Sequence, residues 1–314
     1  MFAYRVFGHR LVSGIALRCP PRAGFGGPEP LGTIRFQLRS RTAHDQPLES
    51  PDVTQTIPGG GPFAEIGRDA DGYVARYVGV AAFHARLDPL VVTAAALPQT
   101  TMDTIEHLLL DQVIPRLLPL AGAGTVLHSS AASLAGAAVV FIAPSRSGKS
   151  TLVTHLARNG FELLSDDSVL LAGRGNAFHA FPSYPAVRLW RDSAGELLPD
   201  APLETVSQYN SKRRAGAGAG MLHRDTAAEL RAIVVLSNRA ADAVSLEPLA
   251  AHLRFPALLE ASMRMEVRDP AVNRAEFLRL AQLAESVPML ELAYPRRYDA
   301  LPEAAAAIAA IARQ

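Results

Sequence analysis

Within the first 87 residues, short runs alternate apolar and polar positions with a period of two, the spacing of half-buried β-strands, between loop-like segments. Residues 32–39 (G-T-I-R-F-Q-L-R) are the clearest case, with Ile34, Phe36 and Leu38 on one face. Residues 2–17 alternate more loosely around Gly8 and Gly14 and predict two short antiparallel strands. Residues 63–66, 73–78 and 81–87 predict three more, with D-A-D-G at 69–72 as a tight turn. The Pro- and Gly-crowded segment 19–30 and the polar, glycine-rich segment 42–61 read as loops. A smaller antiparallel β-rich region is therefore expected over residues 1–120, completed by a connecting helix.

That helix is announced by a change of period: Ile105, Leu109, Val113 and Leu117 recur at helical spacing from Asp103 to the glycines near Gly122. Residues 125–134 and 137–142 then predict two strands around a turn at Ala135 and Gly136, and residues 149–159 a helix closed by Gly160. Residues 161–171 (F-E-L-L-S-D-D-S-V-L-L) predict a strand pair bent around two adjacent carboxylates. Residues 177–190 hold Arg188 on a candidate strand after Pro182 and Pro185. Residues 229–237 and 289–292 predict strands, and 249–264, 273–286 and 301–313 helices. Residues 121–314 thus form an expected α/β (α+β) second domain.

Composition narrows the class. The 314 residues are 49% hydrophobic and 19% charged with a net charge of +1, a globular balance without general attraction to nucleic acid or membranes. A single cysteine, Cys19, cannot make an internal disulfide, and the first residues contain no secretory apolar core, so a cytoplasmic protein is expected. No apolar run is long enough to span a bilayer, and no Cys/His spacing suits zinc.

The chemistry gathers at residues 139–152, V-V-F-I-A-P-S-R-S-G-K-S-T-L. An apolar strand, a small-residue loop and a helix opened by Lys149, Ser150 and Thr151 are the parts of a phosphate-binding loop. Backbone N–H groups over Pro144, Ser145, Arg146, Ser147 and Gly148 would face phosphate oxygens, Pro144 alone contributing none, and the helix N-terminus adds its unpaired donors. Lys149 would reach the β- and γ-phosphates of ATP, and the Ser150 hydroxyl would ligate Mg2+. The first glycine of the usual pattern is Ala143, which fits if its φ is negative. Only Lys149 and Lys212 among the 31 Lys+Arg residues are lysines, leaving 29 arginines. A compact ammonium fits a phosphate cradle that a planar guanidinium does not, a reason for lysine to persist at 149.

Asp166 and Asp167 form a second candidate site. Phosphoryl transfer needs a carboxylate near the metal and a base near the acceptor, and the apolar flanks make a merely solvated turn a poor account of two adjacent acids. His128, taken alone on an apolar strand, reads more readily as a hydrogen-bonded core residue than as a catalyst, and its neighbourhood alters that balance. The basic run Lys212, Arg213 and Arg214, followed by G-A-G-A-G, reads either as a solvated loop or as a lid whose cations meet the transferring phosphoryl group.

With His128, residues 143–150 and the pair Asp166–Asp167 in place, the chain resembles the HPr kinase/phosphorylase family, and more closely the HPr-kinase-like kinases of lasso-peptide precursors. The resemblance spans residues 126–170, more loosely to 238. It implies a phosphoenolpyruvate-carboxykinase-like P-loop core with a mixed sheet, Asp166 as base on a serine hydroxyl, Asp167 as metal contact with Ser150, His128 near the γ-phosphate, and homo-oligomeric assembly. The Arg-Gly-rich signature of HPr kinases proper is missing, so the expected acceptor is another peptide or small protein. The alternatives are a nucleotide-binding regulator without catalysis, and a phosphorylase or multi-phosphate transferase on the same fold.

Overall fold

Six consecutive apolar residues, Ala137–Ile142, are buried on both faces, the signature of a central strand covered on each side. This strand and its neighbours were traced in a computed structural model that describes residues 1–18, 30–40, 46–56, 62–209, 211–216, 219–265 and 268–313. Cys19 lies outside the described residues, as do parts of the two expected loops 19–30 and 42–61. The chain is of the mixed α/β class and divides into two compact units. One comprises Met1–Ala123, Ser207–Asn210 and Arg264–Phe277, the other Gly124–Val206, Ser211–Met263 and Leu278–Gln314.

The first unit holds strands β1 (Phe2–Val6), β2 (His9–Ser13), β3 (Thr33–Ser40), β4 (Val53–Thr56), β5 (Pro62–Asp69), β6 (Gly72–Tyr77), β7 (Ala81–Leu87) and β8 (Leu90–Ala96). They form one eight-stranded sheet in the order β1-β2-β3-β8-β7-β6-β5-β4. The expected antiparallel region is corrected in one respect: β3 pairs parallel with both β2 and β8. Two strands escaped the pattern. β4 falls within the polar segment read as loop, and the inward face of β8 is half alanine, Ala94 and Ala96, too weakly apolar to stand out.

The connecting helix is not continuous. It runs as α1 (Met102–Leu108), a π turn (Leu109–Val113) and α2 (Ile114–Leu120). Pro115 lacks the N–H that would bond the carbonyl four residues back, and its ring crowds that carbonyl; the ladder accommodates by widening, so that Ile114 N–H donates to Leu109 O.

His9 of β2 is buried, with Nδ1 donating to Phe7 O at 2.8 Å. Burial pushes its imidazole below the ordinary value of 6.5, against a smaller opposing effect of that hydrogen bond. Folding therefore favours neutral His9. Its contribution is complete above the unfolded value and is lost as pH falls from 6.5 through the lower folded value. Urea midpoints measured from about pH 8 down to about pH 5.5 are expected to fall, and His9→Gln should flatten that slope. An identical slope in the variant would refute the assignment.

The second unit contains β9 (Thr125–Leu127), β10 (Ser129–Leu134), β11 (Ala137–Ile142), α3 (Lys149–Arg158), β12 (Glu162–Ser165), β13 (Val169–Arg174), β14 (Ala177–Phe181), β15 (Ala186–Leu189), α4 (Arg191–Leu197), β16 (Leu203–Thr205), β17 (Arg213–Gly216), β18 (Ala228–Leu236), β19 (Ser245–Pro248), α5 (Ala251–Ala261), α6 (Pro270–Ser286, only its residues from Leu278 onward), β20 (Met289–Ala293) and α7 (Leu301–Ala312). Its main sheet runs β12-β10-β11-β18-β14-β13-β9, with β20 beside β18 and β19 beside β20. It is mixed, as expected: β11, β18 and β20 are mutually parallel, while β10, β12, β13 and β14 run antiparallel to their partners. The segment 125–134 is two strands rather than one. β9 pairs with β13 at one end of the path and β10 with β12 and β11 near the other, and in the chain only His128 separates β9 from β10.

Both faces of β11 are covered. Val139 and Phe141 pack with Leu152, Val153 and Leu156 of α3 and with Ala304 and Ile308 of α7. Ala138, Val140 and Ile142 face Leu258 of α5 and Leu280 and Leu283 of α6. At about 1.5–3 kcal/mol per large side chain, this burial fixes α3 against the strand that feeds its loop. α3 stops as expected: Gly160 is left-handed (φ +95°), and Phe161 N–H donates to Leu156 O at 3.1 Å, closing a Schellman cap. Among the described residues no helix is long and apolar enough to cross a membrane.

Candidate active site

Loop 143–148 leaves β11 at its carboxyl end and turns into α3. Gly148 takes a left-handed conformation (φ +84°, ψ +12°) immediately before the helix, where a β-carbon would approach the Tyr294 hydroxyl to 3.3 Å. Ala143 is not among the residues with positive φ, so its β-carbon is tolerated in place of the usual glycine. Arg146 does take positive φ (+67°), a conformation that costs a side-chain-bearing residue about 1–2 kcal/mol. Its guanidinium carbon lies 5.6 Å from the ring centroid of Trp190, the chain's only tryptophan, and Lys212 Nζ lies 5.6 Å from the same centroid. Lys149 is buried and donates to the loop's own carbonyls, Ala143 O at 2.7 Å and Pro144 O at 3.2 Å. Burial lowers its pKa, opposed by the nearby Asp167 and Asp166 carboxylates.

The acid pair occupies the turn between β12 and β13. Asp167 has φ +76°, and this left-handed step swings two adjacent side chains, which would diverge on a regular strand, toward one cleft. Their surroundings differ. Asp166 is 2% exposed and accepts three hydrogen bonds: Oδ1 from Ser130 Oγ (2.7 Å) and Ser150 Oγ (2.9 Å), and Oδ2 from Arg188 N–H (2.9 Å). Asp167 is more open and stands between two cationic or basic groups, with Arg188 Nη1 3.5 Å from Oδ2 and His128 Nδ1 3.9 Å from Oδ1. Burial lowers the His128 pKa, against the opposing pull of Asp167, so its imidazole is neutral near pH 7.

These groups share a cleft of about 640 Å3. It is lined by His128, Ser145 to Thr151, Asp166, Asp167, Arg188, Trp190 and Lys212, so both lysines of the chain reach it. Pro144 lies instead on a second cleft of about 620 Å3 on the other flank of the loop. The expected basic lid is corrected in part. Arg213 and Arg214 sit on β17, in a three-stranded sheet β15-β17-β16, where Arg213 Nη1 donates to Thr205 Oγ1 at 3.0 Å and Arg214 pairs with Glu204 at 3.1 Å. Lys212, one residue earlier, is the member of that run that lines the cleft; Ala217 and Gly218 lie outside the described residues.

Arg188 stands on β15, the strand expected to carry it. It is 3% exposed, and besides its contact with Asp167 its Nη2 donates to Asp166 O at 2.7 Å, so one guanidinium positions both acids. Arg188→Met removes that fork and leaves the carboxylates facing each other; it is expected to cost about 3 kcal/mol in denaturant unfolding, with Arg188→Lys recovering only part. A loss below about 0.5 kcal/mol would contradict this role. Ser130, Trp190 and the segment Tyr294–Tyr298 were not singled out. A signal for the last existed: it follows β20, parallel to β11, and ligands gather at the carboxyl ends of parallel strands.

Neither family models nor curated proteins match this chain. Among solved structures, the HPr(Ser) kinase/phosphatase from Coxiella burnetii is similar over 58% of this chain and 93% of that one, at 10% identity and a TM-score of 0.30. A score of that size transfers neither residues nor activity, so the functional reading rests on the site's own geometry.

Proposed function

We propose that this protein is an ATP- and Mg2+-dependent phosphotransferase that moves the γ-phosphoryl group to a hydroxyl, a serine of a peptide or small protein. The observation that carries the reading is the 2.9 Å contact between Ser150 Oγ and Asp166 Oδ1, beside Lys149 and Asp167 at the end of a phosphate-loop strand. Among the described residues no cluster of three or more His, Cys, Asp or Glu could cage a metal. A hydroxyl and one carboxylate, both hard oxygen donors, suit Mg2+, which keeps several waters and takes its other ligands from phosphate. Bound there, the metal supplies neutralisation of the β- and γ-phosphate charge.

The residues then divide the work. Loop amides and the α3 N-terminus hold the phosphates, and the Lys149 ammonium exchanges the carbonyls of Ala143 and Pro144 for phosphate oxygens. Asp167 takes the proton of the acceptor hydroxyl as its oxygen bonds to phosphorus and the bond to the leaving ADP oxygen breaks. Arg188, 3.5 Å from Asp167 Oδ2, orients that carboxylate, and His128, whose pKa burial lowers, stands on its other side. This reverses the order of roles within the pair that the motif resemblance implies. The contact of Asp166 with the Ser150 hydroxyl, which leaves a lone pair on Oδ2 open, favours it for the metal, and the openness of Asp167 favours it for the acceptor. The peptide acceptor, lasso-peptide precursors included, follows from the resemblance and not from the cleft.

Titration calorimetry tests the metal assignment. ATP affinity should fall at least about tenfold when Mg2+ is chelated, and Ser150→Ala should abolish that dependence. Equal affinity with and without Mg2+ would contradict it.

A further inference from the structure

The phosphate loop separates two clefts. Ser145 to Gly148, Thr151 and Asp192 line both, whereas His128, Asp166, Asp167 and both lysines line only the first. The second is walled by Asn238, Tyr294, Arg296, Arg297 and Tyr298. Its parts arise at the carboxyl ends of β18 and β20, the strands parallel to β11. Arg296 binds it to the loop: Nη1 donates to Ser147 O at 2.9 Å, Nη2 to Ser237 O at 2.5 Å, and the guanidinium carbon stacks 4.5 Å from the Tyr294 ring centroid. Ser147 Oγ donates to Asn238 Oδ1 at 3.2 Å, and the hydroxyls of Thr151, Ser193 and Tyr298 form a chain of contacts at 3.4 and 3.3 Å across the divide.

We infer that the second cleft takes the nucleoside end of the triphosphate, leaving the first, with Trp190 and Lys212, to the acceptor. This inference rests on the phosphotransferase reading above. A nucleoside triphosphate gripped at the loop has two ends, and its reacting end must lie against Asp167. The nucleoside then leaves on the opposite flank, where a half-buried tyrosine ring, two guanidinium planes and a carboxamide offer stacking surfaces and paired donor and acceptor groups, the chemistry that holds a nucleobase. Arg296 adds positive charge on this flank, while Arg297 is paired with Asp299 at 2.8 Å. Tyr298 is the stacking platform, and Arg296 is a positioning residue that sets the loop's height against it.

The test compares Mg2+·ATP with Mg2+·tripolyphosphate, which carries the phosphates without a nucleoside, by calorimetry on the full chain. Tyr298→Ala should weaken ATP on the order of tenfold and leave tripolyphosphate within about twofold, while Tyr298→Phe, which keeps the ring and loses the contact to Ser193, should bind ATP nearly as the parent does. An equal loss of both ligands in Tyr298→Ala would make the residue a support of the loop and overturn the inference. So would a selective loss of ATP in Trp190→Ala with none in Tyr298→Ala, which would put the nucleoside in the first cleft. Failure of the parent protein to bind either ligand is a separate result, since it refutes the phosphate-loop reading itself.

Discussion

Lys149→Ala is expected to lower kcat/KM for phosphoryl transfer by about 10³-fold or more and to remove measurable ATP affinity, with an unchanged far-ultraviolet circular dichroism spectrum. The ammonium is buried under the loop, held by the carbonyls of Ala143 and Pro144 with both acids nearby. Its loss removes contacts made to the bound nucleotide as well as to the transition state, so binding and turnover fall together. Lys149→Arg should rescue neither. A guanidinium is planar and too wide for a site whose acceptors lie 2.7 and 3.2 Å from one nitrogen, and a chain with 29 arginines has nonetheless kept lysine here. Full activity of Lys149→Arg, read by coupled release of ADP, would contradict the cradle.

The second large effect separates the two acids. Asp167→Asn should lower kcat by about 10²–10⁴ while ATP affinity stays within about threefold, because the base is needed only as the proton moves. The substitution is mild for the fold, since asparagine accepts the left-handed conformation (φ +76°) that this position requires. Asp166→Asn behaves differently. Asp166 accepts from Ser130, Ser150 and Arg188 N–H through two oxygens, and an amide offers only one. At least one buried donor is left unsatisfied, at about 1–3 kcal/mol of stability, and the Mg2+ dependence of ATP binding weakens. Paired calorimetry and denaturant unfolding distinguish the variants. Loss of binding in Asp167→Asn with binding retained in Asp166→Asn would reverse the roles.

What the sequence disclosed follows from how local each signal is. The strand, loop and helix were legible because they follow one another around fourteen consecutive residues, and the loop accommodates Ala143 because φ there is not positive. The acid pair was legible from carboxylates between apolar flanks, but their different surroundings were not: Ser130 and Arg188, which set them, come from β10 and β15, 36 and 22 residues away. The basic run Lys212–Arg214 read as a lid because composition does not report pairing across strands; Glu204 on β16 commits Arg214. Likewise the pairing of β9 with β13, which brings His128 beside Asp167, joins segments about 40 residues apart. The N-terminal sheet was recognised strand by strand, while its parallel β2, β3 and β8 could not be inferred from period-two alternation, which is blind to direction.

The central claim is transfer of a phosphoryl group from nucleotide to hydroxyl at Asp167, and intact-mass analysis of serine-containing peptides incubated with the protein, ATP and Mg2+ tests it most directly. A gain of one phosphoryl group on an acceptor is expected, stoichiometric with ADP and abolished by Asp167→Asn and by Lys149→Ala. Mg2+-dependent ATP binding with no mass gain across a broad set of serine, threonine and tyrosine peptides, or a gain that survives Asp167→Asn unchanged, would contradict it.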